Sequence, residues 1–169
     1  PRLVSLFGHP KLCDHIHLPL QSGSDAVLRL MNRPYTREKY LEVVRAFREK
    51  LPDMAIGADI IVGYPGETDD DFARTLEIVR SAEFSHVHQF TYSPRGGTPS
   101  SEQKECPPPV VSARAHALKT LASEYAEAYQ NRFEGKALMS VIERGGEDGF
   151  SALSSNYLKA PLGAGAGRW

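Results

Sequence analysis

Four imidazoles occur at a spacing of two: His15-Ile16-His17 and His86-Val87-His88. On a β-strand, alternate side chains share a face, so each pair would present both rings to one surface. Four such rings could hold a metal ion, with Asp59 as a further ligand or a base, as in a metal-dependent barrel hydrolase. The simpler reading is that they are hydrogen-bonded or substrate-facing groups on the polar inner face of a barrel. A second candidate is Asp59 to Thr68, a branched apolar run that breaks into a turn holding Gly63 and Gly66 and then opens onto an acidic helix start. In a parallel α/β unit the carboxyl end of a strand and the N-terminus of the next helix converge where such folds place ligands. Glycines there let backbone amides approach a bound group. The turn is not a phosphate-binding P-loop, because the glycine spacing and the Lys-Ser/Thr ending are missing. Glu67 reads as a partner of the helix dipole. In Pro19 to Asp25, Gln21, Ser22 and Ser24 surround one glycine and could meet a ribose, a carboxylate or an amino group; an ordinary capped turn is the competing reading. Tyr92 to Pro99 carries Arg95, suited to a carboxylate or phosphate, or merely solvated.

These groups need elements to position them. From Asp14 to about Phe133, short apolar runs alternate with amphipathic stretches, the pattern of a parallel sheet with helices packed outside it. Strands are expected at Ile16 to Leu20, Ile56 to Val62 and Phe84 to Tyr92, the last with Phe84, His86, His88, Phe90 and Tyr92 on one face. Ser24 caps a short helix carrying Val27, Leu28 and Met31. Thr36 caps a longer one with Tyr40, Val43, Val44, Phe47 and Leu51 at helical spacing. Thr68 and Asp71 form a capping pair ahead of Phe72, Leu76 and Val79. Ser93 to Pro109 is a loop long enough to suggest function. A long helix from about Val110 shows Leu118, Leu121, Tyr125, Ala128, Arg132 and Phe133 on one face and stops at Gly135. Beyond it, Leu138 to Glu143, Gly149 to Leu153 and Tyr157 to Ala160 read as short strands of a small all-β module, and the last Gly/Ala-rich stretch reads as disordered or cut.

A chain of 169 residues is the size of one domain, yet three strand–helix units are too few to close a barrel. The chain is therefore expected to be a piece of a longer protein, with the missing strands upstream. Twenty basic and 21 acidic residues leave no global field toward nucleic acid or membrane, so any such role needs a local patch. Cys13 and Cys106 lie far apart and suggest neither a zinc site nor a disulfide framework; a reducing cytoplasm is the default. No apolar run approaches a membrane span.

Taken in order, His15-Ile-His-Leu-Pro-Leu-Gln-Ser-Gly-Ser-Asp25, the Asp59 to Thr68 block and Tyr92-Ser-Pro-Arg-Gly-Gly-Thr-Pro99 resemble the radical S-adenosylmethionine (SAM) methylthiotransferases over about residues 13 to 160. The likeness is greatest to the branch acting on threonylcarbamoyladenosine in tRNA. The resemblance implies a fragment of a partial (β/α) barrel of radical SAM type at 1–135, followed at 136–169 by the start of a small TRAM-like β domain. It implies S-adenosylmethionine and [4Fe-4S] clusters as cofactors of the parent protein, a 5′-deoxyadenosyl radical, and methylthiolation at C2 of adenosine 37 in tRNA. The Cys-x-x-x-Cys-x-x-Cys loop of that family is missing here, and neither Cys13 nor Cys106 replaces it, so this chain is expected to supply walls of the site and to be inactive alone.

By position in the family's motifs, Gln21, Ser22 and Ser24 would border the ribose and methionine portion of the cofactor. Asp59, Ile61 and Gly63 would flank its adenine. Arg95 would pair with a carboxylate or the tRNA backbone, and Lys136, Tyr157 and Lys159 would touch RNA through phosphates and stacking. A non-catalytic RNA-binding or scaffold piece is the other rival to the enzyme reading. An unpaired sheet edge would also favour self-association.

Overall fold

The computed structural model describes residues 2–144 and 150–162. Its centre is β2 (Ala55–Val62), which pairs in parallel with β1 (His15–His17) on one side and β3 (His86–Thr91) on the other. Ile56, Ala58, Ile60 and Val62 point to one face and are fully buried. The intervening Gly57, Asp59 and Ile61 therefore face the other way. Two sets of side chains with opposite chemistry thus leave one strand.

The aliphatic face is covered by helices. After the short α1 (Arg2–Leu6) and α2 (Asp25–Leu30), α3 (Arg37–Lys50) lays Tyr40, Leu41, Val44 and Phe47 into the core. α4 (Asp69–Ala82) adds Phe72, Ile78 and Val79, and α5 (Pro108–Asn131) adds Leu118. Each of the three expected caps forms: Ser24 accepts from the Ala26 amide, Thr36 from Lys39, and Thr68 with Asp71 makes a reciprocal box. These bonds satisfy amides that have no partner inside the helix.

Several expectations need correction. Phe84 precedes β3 and is buried in the helix-side core, edge-on to Tyr40, instead of sharing the histidine face. β1 is shorter than expected because Pro19 lacks an amide donor; pairing to β2 nevertheless persists irregularly through Leu18, Leu20 and Gln21. On α5 the buried positions are Arg114, Leu118 and Tyr129, and Ala128 is exposed. Helix α1, which puts Val4 in the core with Phe7 just after its end, carried no periodic signal long enough to read. The 93–109 connection includes one 3₁₀ turn, Pro99–Glu102.

A second, antiparallel sheet contains β4 (Ser140–Arg144), β5 (Phe150–Ser154) and β6 (Lys159–Leu162). Tyr157 lies in the turn before β6, at φ +63°, instead of in a strand. Gly149 and the Gly/Ala-rich end lie outside the described residues. Among the described residues the parallel sheet has three strands and does not close.

The loop from β1 to α2 is locked onto α4 at Gly23, whose amide donates to Thr75 Oγ1 at 3.0 Å. A Cβ there would come within 2.5 Å of the Thr75 Cα and 2.6 Å of the Arg74 carbonyl, both backbone atoms. Gly23→Ala is predicted to cost about 2–3 kcal/mol by overpacking. An unchanged urea-unfolding midpoint would contradict this contact.

Candidate functional site

The face of the sheet opposite the helices is polar at one end and aromatic at the other. At the carboxyl ends of the strands lies a cavity of about 800 Å³. Ile61 from β2 and Phe90 from β3 form its floor, Tyr64 and Tyr92 its apolar walls, and Gln21, Arg33 and Arg95 its polar rim. Among the described residues the lining contains no carboxylate, so the two guanidinium groups give it a positive bias. Tyr64 meets Tyr92 edge to face at 5.2 Å, which leaves the Tyr92 hydroxyl buried and without a hydrogen-bond partner. An unsatisfied buried hydroxyl beside an apolar slot is a group a ligand can satisfy.

Of the residues singled out from sequence, the structure brings Gln21, Ile61 and Arg95 together around this cavity. Gln21 has φ +68°, and its backbone stays bonded to β2 through Asp59 and Ile61. Ser22 and Ser24 are buried behind the rim. The Ser24 hydroxyl donates to Asp71 at 2.5 Å while accepting from Ala26, so its bonding capacity goes to the helix start. Burial alone would raise the Asp71 carboxyl, yet bonds from Ser24 and Thr68 hold it below the usual range. Gly63 is also engaged internally: its amide donates to Glu67 Oε2 at 2.9 Å, and its bare face meets Val111, 2.7 Å from where a Cβ would be.

Glu67 exceeds the role of a dipole partner. Its side chain is 0 % exposed and accepts from Arg114 at 2.8 Å, while Arg114 also reaches Asp69 at 2.7 Å. Burial raises the Glu67 carboxyl despite the Gly63 amide and Arg114. Burial would lower Arg114, but its bonds to Asp69 and Glu67 outweigh that and keep it charged. This pair ties the Gly63 turn to the first turns of α5. Nothing in the linear sequence signals it, since 47 positions separate the partners. Arg33, just beyond the end of α2, also lines the cavity, and no motif in the sequence marked it.

The other end of this face holds the histidines. His17 Nε2 lies 2.9 Å from Asp59 Oδ1, and His86 leans across Gly57. Burial first, then the neighbouring His15, His88 and His17, push His86 down to about 4; burial and His17 lower His15 as well. Tyr157 stacks on His15 at 4.1 Å with rings 10° apart, closing this end from the β module. Lys136 lies over the Phe133 ring and Lys159 pairs with Glu143 at 3.1 Å, so the three residues expected to meet RNA each have an intramolecular partner. No helix among the described residues is long and apolar enough to cross a membrane.

A sequence-family model described as the radical SAM superfamily matches residues 2–79. A tRNA-2-methylthio-N(6)-dimethylallyladenosine synthase of Geobacillus kaustophilus is 44% identical over 133 residues, covering 78% of this chain and 25% of that protein. The enzyme of the same name from Paracoccus denitrificans is 42% identical over 152 residues, 89% of this chain and 34% of the relative. The chain thus spans about a quarter to a third of these relatives. Both carry the dimethylallyladenosine name where the motifs leaned toward threonylcarbamoyladenosine; the adenosine substituent is not resolved by identity at this level. Among solved structures, coproporphyrinogen III oxidase from Escherichia coli, described as a radical SAM enzyme, aligns with a TM-score of 0.56 at 18% identity over 85% of this chain and 39% of that one. That likeness speaks to the fold.

Arg114→Met is predicted to cost about 3–5 kcal/mol, because it leaves the Glu67 carboxylate buried and unpaired; a loss under about 1 kcal/mol in urea unfolding would contradict the pairing. For His86, the folded value of about 4 lies below the ordinary 6.5, so the unfolded chain binds more protons between them. Its contribution is full above pH 6.5 and is lost as pH falls toward 4. Stability of the wild type should decline across that window more steeply than that of His86→Gln, and parallel declines would refute the assignment.

Proposed function

The chain belongs to the radical SAM superfamily, in its methylthiotransferase family, and from that premise we propose that its parent protein methylthiolates C2 of a modified adenosine at position 37 of tRNA. Residues 1–135 are the later part of the barrel and 136–169 the start of a TRAM-like β domain. The observation that carries this reading is the cavity at the carboxyl ends of β1–β3, lined by a residue from each of the three recognised motifs: Gln21, Ile61 and Arg95.

The fit to S-adenosylmethionine rests on the chemistry of that lining. An adenine needs an apolar slot, available at Ile61, Tyr64 and Phe90. Hydroxyl and carboxylate groups need donors, available at Gln21, Arg33, Arg95 and the unpartnered Tyr92 hydroxyl. Asp59 lies next along the same face and offers an acceptor to a ribose. Ser22, Ser24 and Gly63 serve this reading indirectly, by fixing the turns from which Gln21 and Ile61 project. Two cysteines do not suffice for a [4Fe-4S] site, so cluster ligands come from elsewhere in the parent and this chain alone is inactive. When bound, cluster and S-adenosylmethionine supply the radical chemistry; the residues here bind, orient and exclude water. A local contribution to tRNA contact from Lys136, Tyr157 and Lys159 requires their present partners to be exchanged. The parent acts in the cytoplasm, where tRNA is found. The superfamily assignment disfavours both the hydrolase and the purely scaffolding alternatives.

Arg95 has no carboxylate partner among the described residues and faces the cavity. In the full-length parent, Arg95→Ala is predicted to remove one charge-assisted hydrogen bond, about 1.5–3 kcal/mol, and so to lower methylthiolation roughly tenfold to a hundredfold. Nucleoside mass spectrometry of tRNA measures the product, and cluster absorbance should be unchanged. Wild-type yield would refute the role.

A further inference from the structure

At the histidine end of the face, beyond Asp59 from the cavity, His17, His86 and His88 form a nearly equilateral triangle, with ring centroids 5.8, 5.4 and 5.4 Å apart. One nitrogen from each can be chosen so that all three lie within 4.8 Å of one another. We propose that these three imidazoles bind a first-row transition-metal dication of the zinc class. The inference depends on neither the radical chemistry nor the cavity.

The ring orientations differ across the cluster. His15 lies flat on Tyr157 at 10° and 4.1 Å, as stacked rings do. His86 joins that stack, 5.3 Å from both His15 and Tyr157 at 29° and 30°, whereas His88 meets His17 and His86 at 56° and 83° and covers neither ring's face. The backbone also makes room for them. Opposite His86 on the central strand is Gly57, and a Cβ there would fall 2.0 Å from His86 Nε2. Any other residue at 57 would displace this ring. Ser85 Oγ lies 3.0 Å from His86 Nδ1, the outer hydrogen bond that orients a ligating imidazole and leaves Nε2 for the metal. Asp59, 2.9 Å from His17, brings a carboxylate that offsets the charge of a dication.

Tetrahedral zinc sites with Zn–N near 2.0–2.1 Å place ligand atoms about 3.4 Å apart, so modest side-chain rotations draw the triad in. Imidazole donors suit zinc, cobalt, nickel and copper, whereas magnesium and calcium want an oxygen cage this triad lacks.

The test uses this chain, purified without a histidine tag, freed of metal by chelation, and titrated with Zn²⁺ by calorimetry and with Co²⁺ by visible absorption. One equivalent should bind, with the intense d–d bands of a four-coordinate Co²⁺ site. His88→Ala, at an exposed position that folding tolerates, and His17→Ala should each weaken binding by at least roughly tenfold, since even loss of an outer-sphere partner costs that much. Gly57→Ala should weaken it by displacing His86, and His116→Ala, on the exposed side of α5, should leave it unchanged. Circular dichroism checks that each variant is folded. Absence of saturable binding, octahedral Co²⁺ spectra, or equal affinity in His88→Ala and wild type would overturn the proposal.

Discussion

The alternation along Ala55–Val62 is the constraint on which the rest depends. Burying Ile56, Ala58, Ile60 and Val62 against α3, α4 and α5 contributes on the order of 1.5–3 kcal/mol for each larger side chain, which pins the strand's orientation. Gly57, Asp59 and Ile61 then have no choice of face. A slip of one residue would put a carboxylate among the helices and the aliphatic row in the open, so register and site chemistry are one specification.

That specification produces a graded surface. Toward the carboxyl ends, Ile61 and Phe90 give an apolar floor beneath arginine, amide and tyrosine groups, the mixture that a nucleoside with charged substituents requires. Toward the amino ends, imidazoles gather over the one residue without a side chain, and Tyr157 closes them off. Asp59 stands between the two zones on the strand and is bonded to His17. The buried Glu67–Arg114 pair supports the arrangement from behind by fixing the turn that follows Ile61.

Much of this was legible because it rests on local rules. Period-two alternation in β2, the caps at Ser24, Thr36 and Thr68, and the break at Gly135 each follow from a few neighbouring residues. The convergence of Gln21, Ile61 and Arg95 was readable because parallel strands send their following loops to one edge. What stayed hidden depends on distant partners. Ser24 was recognised as a cap, but not that Asp71 would accept its hydrogen bond. Gly63 was read as an open amide, yet Glu67 and Val111 occupy its two sides. Phe84 continued the alternation of β3 in sequence, but the strand begins two residues later and the ring turns to the helices. Tyr157 looked like an exposed stacking residue, and only the fold supplies His15 as the ring beneath it.

The central claim is that the cavity over Ile61 receives S-adenosylmethionine. The most direct measurement is calorimetric binding of S-adenosylmethionine to the cluster-loaded full-length parent carrying Ile61→Trp, whose indole would fill the floor between Tyr64 and Phe90. Loss of binding with both the cluster spectrum and the unfolding midpoint preserved is the predicted result. Wild-type affinity in that variant would contradict it.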